Sequence, residues 1–206
     1  MSSVTRFYFI ALGIVVIDQS VKLLVKFRMH LGQEFNVLGQ WFKIHFIENP
    51  GMAFGLTLNG EYGKLFLTFF SLFAVLLLAV YLSRVARQNR NLALCLSLIL
   101  GGAVGNIIDR VFYGKFFSYA PFFHGNVVDM FYLDIWKGYL PSWLPFWGNQ
   151  YTALWPIFNV SDACICIGLF SMLIFQKRMF IEKTQPSINE VNTLPVPPRS
   201  PSPSKD

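Results

Sequence analysis

The fold class predicted is an all-α membrane protein: four transmembrane helices and a small β-containing outer subdomain. Three observations predict it. The chain of 206 residues is 54% hydrophobic, with a mean hydropathy of +0.47, more apolar than an ordinary soluble domain. Four apolar segments are each close to the roughly 20 residues a helix needs to cross the hydrocarbon core. Basic residues gather between and after these segments rather than spreading over a face.

The first predicted span covers residues 6–26. It has no small-residue cleavage site and continues into Asp18, Gln19 and Lys22, so it reads as a retained helix rather than a signal peptide. An outer loop, residues 27–63, follows. In it Phe42, Ile44 and Phe46 alternate with Lys43 and His45, the pattern of a half-buried strand, and Asn49-Pro50-Gly51 marks a turn. The segment 35–48 is expected to offer an edge to extended substrate backbone.

The second span covers 64–82 and the third 91–109. Arg84, Arg87 and Arg90 crowd the connection between them. The positive-inside rule makes that connection cytoplasmic, and with four spans both termini as well. A second outer loop, 111–155, carries Trp136, Trp143, Trp147 and Trp155 among tyrosines, which favour the headgroup region. The fourth span covers 156–175, followed by Lys177, Arg178 and Lys183. Residues 1–183 form one membrane domain. The tail 184–206, rich in Pro and Ser, is expected to be disordered and cytoplasmic.

Several function classes drop out. The net charge is +6, yet no basic face suits nucleic acid. Cys95, Cys164 and Cys166 lie in apolar segments without a CxxC pair and read as small core residues. His30, His45 and His124 are scattered, and the run His45–Glu48 falls in a strand, not on an HExxH helix, so no metal is expected.

Asp18, Asp109, Asp129 and Asp162 lie in or beside the apolar stretches. A carboxylate at membrane depth costs several kcal/mol and reads as functional by default. Asp18 stands about 18 Å up the first helix at ~1.5 Å per residue, with Lys22 one turn above it. The third span brings Asn106, Asp109 and Arg110 to its outer end. Asn159 and Asp162, three apart, share a face near the start of the fourth. Independent segments thus put polar groups at one level, near the outer leaflet. Snorkelling accounts for lysines and arginines there better than for short aspartates. Gly101, Gly102 and Gly105 provide a face for close helix packing below Asn106.

The chemistry open to this set is that of a carboxylate pair. Two carboxylates close together in a dry site do not both ionise, so one keeps a proton while the other acts as a base. A proton- or ion-coupled transporter also fits intramembrane aspartates, although four spans without an inverted repeat are few for that class. A non-catalytic assembly factor would not require both Asp129 and Asp162.

Five motifs occur in order: DQSVK at Asp18–Lys22, ENPGMAFG at Glu48–Gly55, GGAVGNIIDR at Gly101–Arg110, NVVDM at Asn126–Met130 and FNVSDACICIG at Phe158–Gly168. Together, over residues 6–176, they closely resemble the bacterial lipoprotein signal peptidases (signal peptidase II). The resemblance implies an inner-membrane aspartyl endopeptidase that removes signal peptides just before a diacylglyceryl-modified cysteine. It implies a catalytic pair Asp129 and Asp162, with Asn49, Gly51, Asn106, Asp109, Arg110 and Asn159 lining or supporting the site. Asp18 and Lys22 match a structural polar pair. It further implies prolipoprotein substrates, contact with membrane lipid, inhibition by globomycin-type cyclic peptides, no cofactor and a monomer. Two stretches depart from the family pattern: FSYAPFFHG at Phe117–Gly125, and the Trp- and Pro-rich run Trp136–Trp155.

Overall fold

The computed structural model describes residues 2–51, 61–139, 141–143, 151–153 and 155–176. The tail 184–206, Lys177, Arg178, Lys183, Trp147 and residues 52–55 of the second motif lie outside the described residues.

Helix α1 (Ser3–Arg28) begins at Ser2, whose hydroxyl accepts the Thr5 N–H at 3.2 Å and so satisfies one of the helix's free amides. Strands β1 (Glu34–Leu38) and β2 (Phe42–Asn49) follow as an antiparallel hairpin, then α2 (Glu61–Val85) and α3 (Arg90–Ile108). Asn89 caps α3 by accepting the Leu92 N–H at 3.0 Å. The helix does not stop at Asp109 as expected. It widens into a π-turn (Asp109–Tyr113) and closes with one turn, α4 (Gly114–Phe116). Val111 and Tyr113 are buried, so apolar packing carries the helix past its acidic residue. Strand β3 (Val127–Leu133), the short ribbon β4 (Lys137–Tyr139) and β5 (Tyr151–Ala153), and helix α5 (Val160–Ile174) complete the described chain.

Among the described residues, three helices are long and apolar enough to cross a membrane: Val4–Arg28, Tyr62–Val85 and Arg90–Phe116. The fourth expected span is shorter. Phe158 and Asn159 are extended, Phe158 exchanging backbone hydrogen bonds with Phe131 at 2.8 and 3.0 Å, and helix begins only at Val160. Its 15 residues rise about 22 Å. On α2, Phe66, Phe69, Phe70, Phe73, Leu76, Leu77 and Val80 form an exposed stripe of the kind that faces lipid.

The main sheet has the order β1-β2-β3, all antiparallel. The sequence pattern found β2, but β2 is the central strand, bonded to β1 on one edge and β3 on the other. The expected substrate edge at 35–48 is therefore narrowed to β1: β2 is committed to its neighbours on both edges, while β1 is an outer strand of the sheet and lies two strands, roughly 10 Å, from β3. The edge of β3 away from β2 is occupied by Phe158 and by the side chains of Asp109 and Asn159.

Two apolar clusters hold the fold. One joins α1, α2 and α3 through Phe7, Ala11, Leu82, Leu92, Leu96 and Leu100. The other joins α1, the sheet and the π-turn through Val25, Phe46, Tyr113, Val128 and Met130. Close approach of α3 to its neighbours requires its glycines. A Cβ on Gly101 would lie 2.7 Å from the Ala11 carbonyl oxygen, and one on Gly102 or Gly105 would overlap Ser161. Between the two clusters lies a buried polar layer.

Candidate active site

Asp162 stands in the first turn of α5, in a capping box. Asn159 Oδ1 accepts the Asp162 N–H at 2.9 Å, and Asp162 Oδ2 accepts the Asn159 N–H at 3.3 Å. That reciprocal pair satisfies two free amides and fixes the Asp162 rotamer. Its other oxygen accepts from Asn106 Nδ2 at 2.9 Å. Asp129 comes from β3 and is 2% exposed. Its Oδ1 accepts from Asn159 Nδ2 at 2.6 Å and its Oδ2 from Asn49 Nδ2 at 3.3 Å. One residue, Asn159, therefore donates to both carboxylates, through its side chain to Asp129 and its backbone to Asp162. Its amide also meets Asn106 Oδ1 at 3.1 Å and the Val128 carbonyl at 3.3 Å.

Burial disfavours the charged form of Asp129, and the neighbouring Asp162 carboxylate adds to it. Hydrogen bonds from Asn159 and Asn49 and the Lys22 charge oppose this, yet the carboxyl is pushed up to about 7 from an ordinary 3.8. Asp162 is half-buried, so the pair has a dry member and a more accessible one.

Beneath the pair, Lys22 is fully buried. Its ammonium has three protons and three partners: Asp18 at 2.9 Å, Asp109 at 2.8 Å and Asn106 Oδ1 at 2.9 Å. Asp18 also accepts the Ser161 N–H at 2.9 Å, tying α1 to α5. Asp109 accepts the Val128 N–H at 3.1 Å, tying the π-turn to the strand that bears Asp129. The path Lys22–Asn106–Asp162 thus links the buried cation to the helix-borne aspartate.

Gly51 has φ 107° and its N–H donates to Asn49 Oδ1 at 2.9 Å, so this left-handed position orients the amide that reaches Asp129. The Arg110 guanidinium lies near Gly51 and within electrostatic range of Asp109, Asp129 and Asp162. Of the expected site residues, Asn49, Gly51, Asn106, Arg110 and Asn159 thus lie around the pair, with Asp109, Asp18 and Lys22 below.

Two participants escaped the sequence reading. Gln19 Nε2 contacts Asp109 at 2.9 Å, the Gly105 carbonyl at 3.1 Å and Asp18 at 3.2 Å, while its Oε1 accepts from the Tyr113 hydroxyl at 3.0 Å. A polar Gln19 beside Asp18 in an apolar helix was a visible signal. Tyr113 gave none, because a tyrosine at a helix end is ordinary. Among the described residues, no group of three or more His, Cys, Asp or Glu side chains is disposed to hold a metal ion.

The chain is similar to known proteins in sequence and in fold. The family model described as signal peptidase (SPase) II matches residues 10–178. The lipoprotein signal peptidase of Porphyromonas gingivalis is 44% identical over 184 residues, covering 80% of each chain. That of Amoebophilus asiaticus is 40% identical over 87% of this chain and 80% of its own. Two solved structures, each described as a bacterial membrane enzyme determined by the in meso method, are 26% identical. The one at 2.3 Å resolution has a TM-score of 0.59, covering 89% of this chain and 94% of its own. The one at 1.9 Å has a TM-score of 0.62, covering 84% and 92%. With a family model that spans most of the sequence and relatives this similar, the chain belongs to the signal peptidase II family, whose members are lipoprotein signal peptidases.

Proposed function

We propose that this peptidase is an aspartyl endopeptidase that cuts diacylglyceryl-modified prolipoproteins immediately before the lipidated cysteine, with Asp129 and Asp162 as the catalytic pair. The observation that carries the reading is the sharing of Asn159 by both carboxylates, which ties the two side chains to one residue.

Asp129, the drier member, carries the proton. Asp162 takes a proton from the water as its oxygen attacks the scissile carbonyl carbon, and Asp129 protonates the carbonyl oxygen. The gem-diol then collapses. Asp129 recovers its proton from a diol hydroxyl, Asp162 delivers its own to the leaving amine, and the C–N bond breaks. The Asn49 and Asn159 amides hold the carboxylates in place, and the Arg110 charge orients the carbonyl. Lys22, Asp18 and Asp109 form the support below.

In this reading α5 and its flanking segment make the fourth crossing of the cytoplasmic membrane. Arg84 at the end of α2, Arg87 in the connection and Arg90 at the start of α3 support cytoplasmic termini and a site near the outer leaflet. There a signal helix leaves the core, with the substrate's lipid chains in the bilayer beside it. The enzyme acts as a monomer, and a globomycin-type cyclic peptide competes for the site.

The test is cleavage by the purified chain in detergent of one precursor, with and without its diacylglyceryl group. The expected result is a product beginning at the lipidated cysteine, formed from the lipidated precursor alone. Equal cleavage of the unlipidated form would reject the substrate assignment.

The acid role of Asp129 sets the pH dependence. Its folded carboxyl holds a proton up to about pH 7, so kcat is expected to fall as pH rises through that value. A profile flat through pH 7 would remove Asp129 as the acid. Stability follows the same sign: the proton is bound more tightly in the folded state. The stabilisation is therefore full below about pH 4 and is lost as pH rises toward 7.

A further inference from the structure

The Glu48 side chain bonds to Lys26 and Asn126, and Asn126 carries the connection on to two further segments. The neighbours of Glu48 in β2 both face Asp129: Ile47 is the register partner of Asp129, and Asn49 supplies the amide on Asp129 Oδ2. One Glu48 oxygen receives Lys26 Nζ from the last turn of α1 in a close ion pair. The other accepts from Asn126 Nδ2 at 3.2 Å. Asn126 in turn accepts from Lys64 Nζ, in the first turns of α2, at 2.8 Å, and its backbone N–H donates to the Tyr119 hydroxyl at 2.9 Å. Glu48 and Asn126 therefore lace β2 to β3 at the end of the sheet next to Asp129.

The insertion Phe117–Gly125 completes this knot. The Lys26 ammonium lies 4.4 Å from the Phe117 ring centroid and 5.3 Å from that of Tyr119, with Phe46 at 5.8 Å. These rings screen the ion pair, whose side chains are 10% and 15% exposed, and a screened cation–π contact is stronger than an exposed one. The insertion adopts left-handed backbone at two non-glycine residues, Ser118 (φ 59°) and Phe123 (φ 67°). Such conformations persist where the surroundings over-determine them. Here the Phe123 N–H donates to the Val111 carbonyl at 3.0 Å and the Gly125 N–H to that of Arg110 at 2.8 Å. Thr68 Oγ1 reaches the Phe123 carbonyl at 3.2 Å.

We propose that Glu48 is a positioning residue for Asp129, and that the insertion Phe117–Gly125 is the device that holds it, through Tyr119 on Asn126 and the aromatic wall around Lys26. The inference rests on the reading of Asp129 as catalytic.

The test is steady-state cleavage of a lipidated precursor by Glu48→Gln, which keeps the size, and Tyr119→Phe, which keeps the ring. Misplacing a reacting group by about 1 Å costs up to 10²-fold. Accordingly Glu48→Gln is expected to lower kcat about tenfold and Tyr119→Phe about threefold, with KM for the precursor changed less than about twofold. Adding Lys26→Met to Glu48→Gln is expected to cost little more, since the pair acts as one unit. An unchanged kcat in folded Glu48→Gln overturns the inference. So does a raised KM with kcat retained, which makes Glu48 a substrate contact. Tyr119→Phe decides the matter if Glu48→Gln does not fold. An active Asp129→Asn would instead overturn the reading beneath.

Discussion

Asp129→Asn and Asp162→Asn are each expected to abolish cleavage of a lipidated precursor, with a loss of at least ~10²–10⁴-fold, the range supplied by positioned acid–base groups. The two losses have different physical origins. At position 129 the amide cannot protonate a carbonyl oxygen at neutral pH. At position 162 it cannot take a proton from water. Stability separates the two variants further. Asp129 accepts from Asn159 on one oxygen and Asn49 on the other. An asparagine offers one acceptor, so one of these donors is left facing an NH2 group. Against that loss, about 1 kcal/mol for one hydrogen bond, the variant removes a buried ionisable group from beside Asp162. Asp129→Asn is therefore expected to unfold within a few degrees of the parent protein while inactive. Asp162→Asn faces two donors as well, Asn106 Nδ2 and the Asn159 N–H, and loses part of the helix cap with no comparable burial to relieve. It is expected to be the less stable of the two. Cleavage assays and thermal unfolding on the same preparations check both statements. Near-parental turnover by either variant would sink the aspartyl mechanism.

The site was legible where polar residues interrupt apolar ones, because the bilayer makes every such interruption costly. Asp18, Lys22, Asn106, Asp109, Asn159 and Asp162 all announce themselves in this way, and helix rise alone brings them to one level. Asp129 was harder. It lies in a strand whose neighbours Val127, Val128 and Met130 are fully or nearly fully buried, and nothing local distinguishes it from a loop aspartate. The motif sequence marked it, and the sheet brings it in. The start of the fourth helix was misread because Pro156–Phe158 are apolar enough to belong to a span. Only the pairing of Phe158 with Phe131 shows that this backbone is extended. The continuation of the third helix past Asp109 has a similar cause. A charged residue looks like a helix end, but the π-turn lets Asp109 face Lys22 and Val128 inward while Val111 and Tyr113 pack. Long-range partners such as Gln19 and Tyr113, or Glu48 and Asn126, have no periodicity and come into view only in the folded chain.

Lys22→Met is expected to cause the largest loss of stability among single substitutions at the site, about 3–5 kcal/mol, the usual consequence of removing one member of a buried ion pair. Methionine has nearly the length of lysine and an apolar end, so packing is little changed and the charge is what is lost. Lys22 is the cation bonded to both Asp18 and Asp109, and all three side chains are fully buried. Gln19 bridges the two carboxylates but brings no charge. Without the ammonium, each carboxylate must ionise uncompensated or take up a proton, and either outcome weakens the fold. For a chain of this size the loss corresponds to a fall in Tm of about 10 °C. Activity is expected to fall as well, since Asn106 Oδ1 loses its lysine donor and keeps only the Asn159 amide, which loosens the amide held on Asp162. The double variant Lys22→Met, Asp109→Asn discriminates between the two effects. Removing one carboxylate relieves the uncompensated charge, so Tm is expected to recover in part. Turnover is not expected to recover, because Asn106 still lacks its lysine donor. Parental Tm in Lys22→Met would mean that the Asp18–Lys22–Asp109 cluster contributes no net stability. Recovery of turnover in the double variant would mean that Lys22 acts on Asp162 through charge rather than through the Asn106 amide.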